Sequence, residues 1–151
     1  MQAQAKHSII FCIDSQMDQI SLIRAALSGV LHHLGVAESD IFSLELAVTE
    51  IINNTLEHGY RGATDKSIEV HLLVIGSDVR IELTDNAPAF PADQLYRINE
   101  ARQPIEDGSE DWPMRGHGLQ IVRQIVDSIE LRTEQNRNRM TITKHVALEK
   151  N

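Results

Sequence analysis

At 151 residues the chain suits one domain with a sizeable core, and its 42% hydrophobic content argues against disorder. The net charge of -8 speaks against a nucleic-acid binder whose affinity rests on neutralising phosphates. The single cysteine, Cys12, excludes an intramolecular disulfide and, lying in an apolar run, reads as a small core residue.

Aromatics make up only 4%, so aliphatic side chains must build the core. The start "MQAQAKHSII" has no apolar stretch of signal-peptide type, and no run approaches membrane-spanning length; the cytoplasm is the expected compartment, with no membrane partner. The seven histidines lack metal spacing, since His32 and His33 are adjacent and point to different sides of a helix, so no structural metal site is expected.

In chain order, residues 8–13 ("SIIFCI") read as a buried strand, with Asp14 or Ser15 capping the helix that follows. Ile20, Ile23, Leu27, Val30, Leu31 and Leu34 recur at helical spacing, and Gly35 stops that helix. A second helix begins near Ser39 or Asp40, carries the stripe Ile41, Leu44, Val48, Ile51, Ile52 and Thr55, and ends at Gly59. The period then switches to two. Ile68, Val70, Leu72 and Val74, the turn "GSD", and Val79, Ile81 and Leu83 make an antiparallel hairpin. Residues 86–116 break the periodicity and hold all four prolines; a short helix over 92–99 is expected there, and the remainder, "ARQPIEDGSEDWPMRG", reads as a mobile loop. A third main helix opens at Gly116–Gly118 and runs to about Asp127, and two strands flank "QNRN". Helices followed by antiparallel strands predict an α+β, two-layer sandwich of one mixed, mostly antiparallel sheet with helices on one face, in a single domain over 1–151.

Three short stretches carry chemistry. In "EIINNTLEHGY" the side-chain direction advances by about 100° per residue, which puts Glu50 roughly opposite the apolar stripe and Asn54 about 40° from it. Asn53 points about 100° away from Asn54. This face reads either as an ordinary solvated surface or as a carboxylate able to take a proton, one turn before a carboxamide oxygen suited to Mg²⁺. "LTDNAPAF" puts Asp85 at a strand end, either as a turn residue or as an acceptor for an exocyclic amine such as that of adenine. "RGHGLQIV" opens a helix with glycines, as a flexible loop end or as backbone N–H groups facing an anion, with Arg115 nearby.

Their order resembles the ATP-binding (Bergerat) fold of the GHKL superfamily, which includes gyrase, heat-shock chaperone, histidine kinase and mismatch-repair ATPases. "LIRAALSGVLHHLGV" and "LELAVTEIINNTLEHGY" are similar to the bacterial anti-sigma-factor serine/threonine kinases of partner-switching systems, over nearly the whole chain. The resemblance implies ATP and Mg²⁺ as cofactors. Glu50 would be the general base and Asn54 the Mg²⁺ ligand, with Asp85 on the adenine amine and Ala87 beside it. Arg115, Gly116, His117, Gly118 and Leu119 would close on the phosphates, with 100–115 as the lid, its acidic run "EDGSED" turned outward and Trp112 either tacking the lid down or contacting a partner. The implied substrate is a serine or threonine of a small STAS-domain anti-anti-sigma protein, with a sigma factor as a further partner and a homodimer as the assembly. Where the superfamily usually has glycines after the aspartate, this chain has Ala87 and Ala89. Those alanines motivate the alternative of an anti-sigma or adaptor module of the same fold without catalysis. The ATP-binding half of a histidine kinase would need a helix pair with a phosphoacceptor histidine, and none is visible; a plain α+β domain leaves the order of the three stretches unexplained.

Overall fold

The computed structural model describes residues 6–89 and 118–149. The expected helix over 92–99, the lid over 100–115, and Arg115, Gly116 and His117 lie outside the described residues. Five strands form one sheet in the order β1-β2-β3-β5-β4: β1 (His7–Asp14), β2 (Ser67–Ile75), β3 (Asp78–Asp85), β4 (Ser128–Glu134) and β5 (Arg137–His145). Every pairing is antiparallel. Three helices, α1 (Gln19–His33), α2 (Glu38–Asn54) and α3 (Gly118–Ile125), cover one face.

The alternation foreseen for the hairpin sets this two-layer arrangement. Ile68, Val70, Leu72 and Val74 of β2 are buried, whereas Glu69, His71 and Leu73 between them are only half-buried on the other face. Val79, Ile81 and Leu83 of β3 and Met140 and Ile142 of β5 continue the apolar side. Against it α1 packs Ile20, Ile23, Leu27 and Leu31, and α2 packs Ile41, Leu44, Ala47, Val48, Ile51 and Ile52. Each fully buried aliphatic side chain contributes roughly 1.5–3 kcal/mol, so this seam dominates the stability of the helical layer. Gly35, at φ +79°, terminates α1 as expected, and a β-carbon there would stand 3.0 Å from the Glu149 carbonyl oxygen. His32, at the end of α1, places Nε2 at 2.5 Å from Glu38 Oε1 at the start of α2; that hydrogen bond, with one to the Ser28 carbonyl, raises the imidazole pKa.

Three expectations change. The first strand is not a buried one: among the described residues β1 is an edge strand paired with β2 alone, and of its residues only Ile13 is buried. Ile10 is 58% exposed, and Cys12 is exposed rather than a core residue, because its register partner Glu69 lies on the face that none of the described helices covers. Neither Asp14 nor Ser15 caps α1, which starts only at Gln19. The Ser15 hydroxyl instead donates to the Ala63 carbonyl (2.7 Å) and accepts from the Lys66 N–H (3.0 Å), tying the end of β1 to the loop before β2. The second helix does reach Gly59, but it changes character: α2 ends at Asn54 and a π-helical turn covers Thr55–Gly59.

Candidate functional site

The last turns of α2 carry Glu50 and Asn54, both half-buried, and bring Glu50 against Gly118, the first described residue of α3. A β-carbon built on Gly118 would stand 2.6 Å from Glu50 Oε2, so only glycine fits at the helix start while the carboxylate keeps this position. Two stretches separated by 68 positions in "EIINN…GHGLQ" therefore meet at one point. Leu119 is 2% exposed and packs into the core, so its side chain anchors α3. Asn53 points away from this face as its helical position dictates; its Oδ1 is buried and lacks a hydrogen-bond partner among the described residues.

Asp85 ends β3 and faces the π-helical turn. Its Oδ1 accepts from the Ala87 N–H (2.9 Å) and from Asn138 Nδ2 (3.0 Å). Among the described residues its Oδ2 is approached by the Thr55 hydroxyl, at a long 3.5 Å, and Thr55 already donates to the Ile51 carbonyl at 3.1 Å. One carboxylate oxygen is therefore consumed in holding the turn, and the other retains accepting capacity. Ala87 is buried with its methyl toward Gly59, where an added β-carbon would lie 2.9 Å from it. The alanine that departs from the superfamily's glycine is matched by the absence of a side chain at Gly59, at the end of "EHG".

Two residues of this site escape a reading by motif. Asn138 is 1% exposed, yet its alternation in β5 puts it on the core face with Met140 and Ile142. A carboxamide at such a position is the signal that could have revealed it. Besides Asp85, its Nδ2 reaches the carbonyls of Ala87 (3.0 Å) and Pro88 (3.3 Å), and its Oδ1 accepts from the Thr133 hydroxyl at 2.7 Å. The second is Tyr60, which follows Gly59. Its hydroxyl donates to the Ser67 carbonyl (2.6 Å) and accepts from the Asn86 N–H (2.9 Å), clamping the Asp85 turn to the start of β2. Burial pushes this phenol's pKa above its ordinary value of 10. His58 stands near Glu57, Nε2 to Oε2 3.8 Å, at the helix end.

A β-sheet under a helical layer, with a carboxylate and carboxamide on one helix, an aspartate at a strand end and a glycine at a helix start, defines the class. The sequence profile of the histidine kinase-like ATPase domain matches residues 13–144. The chain belongs to the histidine kinase-like ATPase domain family. Among curated relatives, the serine-protein kinase RsbW of Listeria monocytogenes serotype 4a is 28% identical over 121 residues, covering 79% of this chain and 75% of its own. The serine-protein kinase RsbW of Halalkalibacterium halodurans is 25% identical over 137 residues, covering 89% and 81%. Among solved structures, that of the RsbU and RsbW domains of Rv1364c from Mycobacterium tuberculosis shares the fold with a TM-score of 0.65 at 18% identity. That match covers 93% of this chain, which spans 33% of the longer protein.

Proposed function

We propose that the protein is an ATP-dependent serine/threonine kinase that phosphorylates a STAS-domain anti-anti-sigma protein and acts as an anti-sigma switch. The observation that carries the reading is the contact of Gly118 with Glu50, together with Asp85 facing Thr55, the residue after Asn54, in a family whose curated relatives here are named serine-protein kinases.

The residues present fit a magnesium nucleotide. Asp85 Oδ2 retains a lone pair for an amine N–H, Gly118 leaves room for the Glu50 carboxylate in its present position, and Asn54 lies one turn from Glu50. Asn54 would hold the metal through its carboxamide oxygen, and Asp85 would hold the base. When bound, Mg-ATP supplies the phosphoryl group and the metal charge that offsets its oxygens. Glu50 accepts the proton of the incoming serine or threonine hydroxyl and orients that oxygen. Arg115, Gly116 and His117 would complete the phosphate contacts. A homodimer in the cytoplasm, and binding of a sigma factor, belong to the same reading; among the described residues no helix is long and apolar enough to cross a membrane.

The second reading is an adaptor of this fold without catalysis, motivated by Ala87 and Ala89. The Ala87 methyl packs toward the side-chain-free Gly59, which supports the kinase reading at that one position. Transfer from radiolabelled ATP to a candidate STAS protein separates the two. Glu50→Ala should abolish transfer while calorimetry still detects Mg-ATP. A parent protein that shows no Mg-ATP binding would establish the adaptor instead.

A further inference from the structure

The face of the sheet turned away from the helices carries a concavity of about 200 Å³ at its β4–β5 end, lined by Thr84, Arg132, Glu134, Gln135, Arg137 and Arg139. In register, Arg139 stands directly opposite Arg132 on one side and Thr84 on the other, and alternation directs all three to this open face. Like charges directly opposite one another destabilise a sheet, so this placement carries a cost. Arg132 offsets part of it through Glu130, Nε to Oε1 2.6 Å. Arg137 and Arg139 form no ion pair among the described residues, although Glu134 is the register partner of Arg137. The turn joining the strands is a tight one, with Gln135 at φ 50° and Asn136 at φ 60°, so the arginines project from a short and rigid hairpin end. The chain as a whole carries -8, which makes three guanidinium groups in one concavity a local reversal of charge.

We infer that this pocket binds an oxyanion, carboxylate or phosphate, carried by an acidic segment of a protein partner. Guanidinium groups present paired N–H donors that match either oxyanion, and two of the three have no internal acceptor charge. A nucleic acid or an anionic lipid surface would have to approach an acidic protein over a wide area, with Glu130 and Glu134 flanking the arginines; a single side chain entering a concavity meets only the local positive field. The pocket lies on the opposite face from Glu50 and Asp85, so it stands whether or not the protein transfers phosphate.

The test is a titration of the ¹⁵N-labelled full chain, followed by NMR, with inorganic phosphate and separately with a triglutamate peptide, against sodium chloride at matched ionic strength. Saturable shifts at Thr84, Gln135, Arg137 and Arg139 are expected. Saturation by phosphate alone assigns a phosphorylated segment; saturation by the peptide assigns a carboxylate one. Arg139→Gln should weaken the binding about tenfold, Arg139→Lys should restore part of it, and Arg139→Gln should melt no lower than the parent because it relieves the pairing with Arg132. The inference is overturned if neither probe saturates, if shifts spread equally to Lys6 and Lys66, or if Arg139→Gln lowers the melting temperature, which would make the arginine structural.

Discussion

The Glu50 carboxylate lies against Gly118, so close that a β-carbon on the glycine would come within 2.6 Å of Oε2. This contact joins the last turns of α2 to the first described turn of α3. Gly118→Ala must therefore displace the side chain of Glu50 or move α3. If Glu50 is the base, phosphotransfer should fall by about tenfold or more, toward the 10²–10⁴-fold span expected for losing a general base. Mg-ATP affinity measured by calorimetry should change far less. Equal transfer rates for Gly118→Ala and the parent would remove Glu50 from this role.

Asn138 supports Asp85 and the carbonyls of Ala87 and Pro88 from a fully buried position. Asn138→Ala leaves these acceptors and the Thr133 hydroxyl short of partners. Chemical denaturation should report a loss of about 1–3 kcal/mol, the penalty for unsatisfied buried polar groups. Nucleotide affinity should fall along with it, because the turn that aims Asp85 Oδ2 loses its brace. A variant as stable as the parent would show that water replaces the carboxamide at no cost.

Gly59 and Ala87 form a coupled pair. Gly59→Ala puts a methyl 2.9 Å from that of Ala87, inside ordinary carbon contact distance, and should cost about 1–3 kcal/mol as overpacking. Ala87→Gly in the same chain vacates that space. The double-mutant cycle should return an interaction energy of about 0.5–3 kcal/mol in the direction of rescue. Strict additivity would mean that the two residues do not touch in solution.

Tyr60 sets a limit at alkaline pH. Its folded pKa is raised above the ordinary 10, chiefly by burial. The folded state thus holds this proton more tightly than the unfolded chain, so its contribution is intact below pH 10 and is lost as pH rises through the folded value. Denaturation followed from pH 8 to pH 11, about the range that spans a phenol titration, should show the parent losing stability more steeply than Tyr60→Phe above pH 10. Below that pH the variant should be the weaker of the two by about 1–2 kcal/mol, since the Asn86 N–H and the Ser67 carbonyl lose their partner.

What the sequence determined by itself is whatever depends on local periodicity. The 100° advance per helical residue separates Asn53 from the Glu50–Asn54 face, and the two-residue alternation of 68–83 places Asp85 at the end of a strand with an apolar side. The order of the three short stretches, together with "EHGY", was enough to point to the family to which the chain belongs. Tertiary structure decided what depends on neighbours distant in the chain. Residues 8–13 are apolar enough for a central strand, but burial is set by what covers a strand, and β1 ended at the edge with Cys12 on the uncovered face. No local rule pairs Asn138 with Asp85, matches Gly59 to Ala87, or sets Arg132 opposite Arg139; these follow from sheet order and register once the chain has closed on itself. Periodicity fixes which way a side chain points, and only packing fixes what it meets there.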